Sequence, residues 1–171
     1  MAKVRGATLL GTLDYVRESF GEEALRKVAS GVSPALREVM AEGSLVLHGW
    51  YECALLSELT REIDRVCGKG DLALAREAGR HGAFQDVNRF FKWMLRLTGP
   101  GMIFSRAASV WNNYHSAGRY VFEGAQGNRA AIRIEDWDGA DPVMCKRIEG
   151  WIERALEITL GADARPHIRE E

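Results

Sequence analysis

The stretch YVFEGAQGNRAAIRIEDWDGADPVMCKRIEGWI, Tyr120 to Ile152, decides the fold class. Tyr120 and Phe122 alternate with Val121 and Glu123, and Ile132 and Ile134 alternate with Arg133 and Glu135. This two-residue period belongs to half-buried strands, and GAQGN between the runs supplies turn residues, so the segment predicts an antiparallel hairpin. Asp141-Pro142 then opens a helix, because Pro fits the first helical position and the Asp side chain accepts from free backbone N–H groups. Val143, Met144, Ile148, Trp151, Ile152 and Leu156 recur at helical spacing, and Gly161 suits the end of that helix. Arg165 to Arg169 reads as a third strand.

Upstream of the hairpin the period is helical. Arg5 to Phe20 carries Leu9, Leu10, Leu13 and Val16 on one face; Gly21 interrupts before Glu22 to Ser30 resumes. Ser33-Pro34 starts a short helix over Ala35 to Ala41, with Gly43 at its stop, and Ser44 to His48 reads as a brief extended connection. Glu52 to Cys67 places Leu55, Leu56, Leu59, Ile63 and Val66 on one face. Asp71 caps the longest periodic segment, which runs to about Leu97. Gly99-Pro100-Gly101 breaks it, and Met102 to Tyr114 forms the next helix. Helices first, then strand, strand, helix, strand, predict an α+β domain: the helical N-terminal two-thirds packs on a small antiparallel sheet, and residues 1–171 form a single domain.

Composition excludes several function classes. With 23 basic and 24 acidic residues the net charge is −1, which supplies no positive field for nucleic acid. Cys53, Cys67 and Cys145 are odd in number and lack a CxxC spacing, which argues against a disulfide framework and a thiolate metal site and for a reducing, cytoplasmic setting. No run of apolar residues is long enough to span a membrane, and no classical export signal is expected at the N-terminus. Nucleophile-elbow, phosphate-loop, HExxH and EF-hand patterns are missing, and no nucleophile is paired with a base, so no enzymatic activity is expected. Gly68-x-Gly70 follows a helix, whereas a phosphate-cradling loop follows a strand.

Two features draw attention as a binding site. Gly79 and Gly82 sit one turn apart inside the long helix, where each interior Gly costs about 1 kcal/mol relative to Ala. Either they allow a kink or a close helix crossing, or they leave backbone bare beside a cavity. The run VWNNYHSAGRYVFEG, Val110 to Gly124, gathers aromatic and amide side chains where helix gives way to strand. Trp111 and Tyr114 there suit the core, and His115 suits a protonated or donating cap on the free carbonyls of the helix end. The same stretch serves either to pin the helix to the sheet or to line a ligand site. The expected pocket comprises Gly79, Gly82, Phe84, Phe91, Phe104, Trp111, Tyr114 and His115. His48, His81 and His167 are scattered without metal-ligand spacing, and Glu135, Asp136, Asp138 and Asp141 around Trp137 read as loop and helix cap.

VRGATLLGTLDYVRESFGEEAL, WNNYHSAG leading into a hairpin, and DPVMCKRIEGWIERALEITLGA resemble an uncharacterised paralogous family of myxobacterial proteins. More distantly they resemble vinyl-reductase-type small-molecule-binding domains, transport-particle (TRAPP) subunits and heme-nitric-oxide-binding domains. The resemblance implies a pocket between helices and sheet, used for sensing or assembly. Neither a metal nor a heme is expected to carry over: vinyl-reductase-type domains continue, after the strand corresponding to DARPHIRE, into a Cys-containing segment linked with metal binding, whereas only Cys145 lies in the matching helix here, and no Y-x-S-x-R propionate motif is present. The expectation is a non-enzymatic sensory or regulatory module, free of cofactor, that binds a small, largely apolar ligand and forms a homodimer. A ligand-free assembly or scaffold protein in a signalling or trafficking-like complex is the alternative, with a heme-based gas sensor behind it.

Overall fold

The computed structural model describes residues 1–41, 43–86, 100–127 and 129–160. Among these residues ten elements follow in order: β1 (Lys3–Arg5), α1 (Gly6–Gly31), α2 (Pro34–Met40), β2 (Trp50–Glu52), α3 (Cys53–Cys67), α4 (Ala73–Asp86), α5 (Pro100–Tyr114), β3 (Arg119–Gln126), β4 (Arg129–Glu135) and α6 (Pro142–Leu160). The fold is α+β, mostly helical, with two small antiparallel pairs, β1–β2 and β3–β4. The long helix expected to reach Leu97 is described as far as Asp86, and the expected third strand at 165–169 lies outside the described residues.

Local chemistry explains most boundaries. Gly21 breaks α1 with φ 83° and ψ 173°, a conformation that L side chains resist. The Ser33 hydroxyl accepts from the Leu36 N–H at 3.2 Å, and Pro34 begins α2. Asp141 Oδ1 accepts from the Met144 N–H at 2.8 Å, as the Asp-Pro signal predicts for α6. At α4 the expected cap is shared: Asp71 takes the Ala73 N–H at 3.1 Å, but Asp64, buried on α3, takes Leu72 N–H at 2.8 Å and Leu74 N–H at 3.3 Å. A carboxylate from the preceding helix therefore fixes how α4 departs from α3.

Two expectations are corrected. Residues 44–48 hold two turns, at Ser44 and at Leu47–His48, and no strand, and the extended segment comes later, as β2, pairing Val4 with Tyr51. In the hairpin, Gln126 pairs with Arg129, so pairing takes up most of the GAQGN stretch; a register irregularity between Phe122 and Gly124 absorbs the odd residue.

The core lies among the helices. Leu9, Val16 and Val28 of α1, Leu36 of α2, Leu56, Leu59 and Ile63 of α3, and Val4 of β1 are fully buried, with Met144 of α6 and Ala78 of α4 beside them. Full burial of each large side chain stabilises by about 1.5–3 kcal/mol. Gly79 faces the Arg147 carbonyl of α6, and Gly150 of α6 faces the Arg76 carbonyl of α4; a Cβ on either glycine would overlap that oxygen. Ion pairs Arg76–Glu153 (2.6 Å) and Arg80–Glu157 (3.0 Å) close over this crossing.

Candidate functional site

At its C-terminal end α5 runs into β3 through a ring cluster. Trp111, 6% exposed, donates its indole N–H to the carbonyls of Ala117 and Gly118 at 3.2 and 3.0 Å, which draws the chain back over the helix end. Gly118 makes that return at φ 85°, packed so closely that a Cβ would strike Trp137 and crowd Trp111. His115, one turn after Trp111, stacks on it with centroids 3.8 Å apart and planes 11° from parallel. Trp137, from the β4–α6 connection, meets Trp111 at 5.0 Å and His115 at 5.5 Å, both edge-on.

The helix end is pinned as well, though to β1 and not to the hairpin alone. Val4 bridges to His115, Ser116 N–H donates to the Lys3 carbonyl at 2.9 Å, Lys3 N–H donates to Ser116 Oγ at 2.8 Å, and Arg5 Nε donates to the Asn113 carbonyl at 3.0 Å. Pinning and ring clustering thus occur at the same place.

Two polar atoms in the cluster stand out. His115 Nδ1 and Trp137 Nε1 are both shut off from solvent and have no hydrogen-bond partner among the described residues. Buried polar groups are nearly always paired, because desolvation without a partner costs about 1–3 kcal/mol each. Burial, with a smaller push from the positive charge of Arg147 and against the pull of the Trp111 carbonyl, brings the His115 imidazole down to about 4. Of the protonated and donating forms expected for this cap, the protonated one is corrected to a neutral, stacked imidazole: loss of hydration outweighs the attraction of the helix end.

Deeper in the bundle, Arg147 of α6 is 6% exposed. Its guanidinium donates to Thr60 Oγ1 of α3 at 3.1 Å and to Thr12 Oγ1 of α1 at 2.8 Å. Each threonine hydroxyl donates in turn to its own helix, Thr12 to the Thr8 carbonyl at 2.7 Å and Thr60 to the Leu56 carbonyl at 2.8 Å. No carboxylate among the described residues lies at ion-pair distance from Arg147, and burial pulls its pKa down to about 10. A buried cation whose partners among the described residues are neutral hydroxyls is an expensive arrangement.

The expected pocket residues separate into two places. Trp111 and His115 meet in the ring cluster, and Tyr114 lies half-buried on the same helix. Gly79 is corrected from a bare cavity wall to the close α4–α6 crossing, since the Arg147 carbonyl occupies the space a side chain would need. A Cβ on Gly82 would lie 3.8 Å from Trp151 Cδ1, an ordinary contact. Phe84 is 48% exposed, with the Arg154 guanidinium 5.6 Å from its ring centroid, so it does not line an interior site. Phe91 and the Phe104 side chain lie outside the described residues.

Trp137, Thr12, Thr60 and Arg147 were not singled out as site residues from sequence. Trp137 was legible as an aromatic inside IEDWDGAD, but its acidic neighbours have other tasks: Asp138 meets the N-terminal amine at 3.4 Å, and Asp141 caps α6 and pairs with Arg61 at 3.2 Å. Arg147 carried a signal too, one cation at helical spacing with Met144 and Trp151.

Among the described residues no group of three or more His, Cys, Asp or Glu is placed to hold a metal ion, and no helix is long and apolar enough to cross a membrane. Cys53 and Cys67 are free thiols; burial pushes Cys53 up to about 11, which makes it a poor nucleophile. Compared with known family models, curated proteins and solved structures, the chain has no match.

Proposed function

We propose that this chain is a non-enzymatic sensory or regulatory module of the cytoplasm that binds a small, largely apolar molecule where α5 meets β3. One observation carries the reading: His115 Nδ1 and Trp137 Nε1 are buried, unpartnered and set in the same wall of three rings. A neutral imidazole and an indole supply one polar point of contact each, and the Trp faces supply apolar area, which is the composition of small-molecule sites. The resemblance to vinyl-reductase-type, transport-particle and heme-nitric-oxide-binding domains agrees with such a use, and self-association as a homodimer belongs to the same reading.

Native mass spectrometry of the purified protein, followed by denaturing extraction, tests it. The expected result is one small molecule per chain in the wild type and none in His115→Phe, which keeps a ring on Trp111 but removes the nitrogen. The same ligand-free mass for both proteins would sink the reading and favour the alternative, an assembly or scaffold protein without ligand.

A further inference from the structure

Arg147 is the feature that the ring cluster leaves unexplained. Its side chain is charged and 6% exposed, yet its partners among the described residues are two hydroxyls whose own hydrogens are already given to helix carbonyls. Thr12 and Thr60 therefore hold the guanidinium in position without neutralising it, and they come from two different helices, α1 and α3. Guanidinium has five N–H donors in a planar fork that matches a carboxylate. Neutral residues of similar length in such a place are commonly as stable or more so, so the fold alone gives little reason for a cation here.

The position of Arg147 relative to the rings follows from α3. Its buried face includes Cys53, Leu56 and Thr60. Thr60 touches Arg147, and Cys53 lies at the other end beside Gly139, whose missing Cβ leaves room for Trp137 Nε1 and Cys53 Sγ together. Seven residues of helix separate Cys53 from Thr60, a rise of roughly 10 Å. The α3 positions that meet Arg147 and Trp137 are thus separated, along the helix, by about the length of one short hydrocarbon chain.

We propose that Arg147 receives the acidic group of the ligand, which is a small amphiphilic carboxylate with its apolar body directed along α3 toward Trp111, His115 and Trp137. The inference rests on the ligand-binding reading above and specifies the chemical class. The carboxylate supplies the counter-charge that the described residues do not, and the rings take the apolar body, so a neutral molecule of the same length satisfies only half of the site.

The test compares octanoate with 1-octanol by thermal melting and by isothermal titration, on the wild type and on Arg147→Met. Octanoate is expected to bind the wild type at least tenfold more tightly than 1-octanol and to raise its melting temperature. In Arg147→Met that preference is expected to vanish, and the unliganded variant to melt at or above the wild-type temperature. Equal affinity of the wild type for both probes, or an octanoate preference that survives in Arg147→Met, overturns the carboxylate assignment while leaving a ligand site intact. Binding of neither probe to any protein overturns both. Should Arg147→Met not fold, Arg147→Lys decides: a single ammonium cannot reproduce the fork, so octanoate affinity is expected to fall several-fold with 1-octanol unchanged, and undiminished octanoate binding counts against the assignment.

Discussion

At His115 two forces compete and burial prevails. The end of a helix favours positive charge by about 0.3–1 kcal/mol when exposed, whereas stacking the imidazole on Trp111 beneath Trp137 removes it from water. The folded-state pKa of about 4 lies below the ordinary 6.5, so between these values the unfolded chain binds more protons than the folded one. The contribution to stability is therefore full above about pH 6.5 and is lost as pH falls toward 4, a change of about 3 kcal/mol across the window. Urea unfolding at pH 7.5 and pH 4.5 checks this: the wild type is expected to lose more stability on acidification than His115→Phe. Parallel losses in the two proteins would place the titrating group elsewhere. The same ring also explains why a sequence reading went astray, since the spacing of Trp111 and His115 was legible but the third ring that covers them comes from residue 137.

Between elements, the crossing of α4 and α6 turns on two glycines, one from each helix. Gly79 and Gly150 each face a carbonyl of the opposite helix, while Gly82, only one turn from Gly79, has ordinary room toward Trp151. Gly79→Ala is expected to force the helices apart, an overpacking cost of about 1–3 kcal/mol, even though Ala is the better helix former. Gly82→Ala, with the same propensity gain and space for the methyl, is expected to be neutral or stabilising by up to about 1 kcal/mol. Thermal melts of the two variants make the comparison directly, and equal melting temperatures would show that the crossing does not need its glycine. Sequence alone leaves a kink or crossing and a cavity both open for Gly79 and Gly82, because a missing side chain says that something is close or that something is empty. Only the position of α6 distinguishes them.

Across the whole molecule, β1 is the tie that joins regions remote in sequence. Lys3–Arg5 pairs with Trp50–Glu52 on one side, and Lys3 and Val4 hold His115 and Ser116 on the other, with Val4 fully buried between. Val4→Ala is expected to cost about 1–2 kcal/mol, as truncation of a buried branched side chain does, and to loosen both contacts at once. Hydrogen exchange checks the coupling: the amides of Tyr51 to Cys53 and of Ser116 are expected to exchange faster together, and acceleration of one set alone would mean that β1 does not link them.

The periodicities and breaker residues determined the class of the fold and most of its helices. Ser33-Pro34, Gly21 and Asp141-Pro142 act within one turn of themselves, and the alternation around Tyr120 and Ile134 reports a pleat that any sheet imposes. Where an element lies next to another was decided only by tertiary packing. Three-residue strands such as β1 and β2 are too short to show a period, and Asp64 caps a helix ten residues further on. Arg147 looks in the sequence like one more cation on an amphipathic helix, and Thr12 like one more polar residue in a mixed stretch. Their meeting in the interior depends on how α1, α3 and α6 are placed, and desolvation, which makes that meeting costly and so chemically informative, exists only once the helices have closed around it.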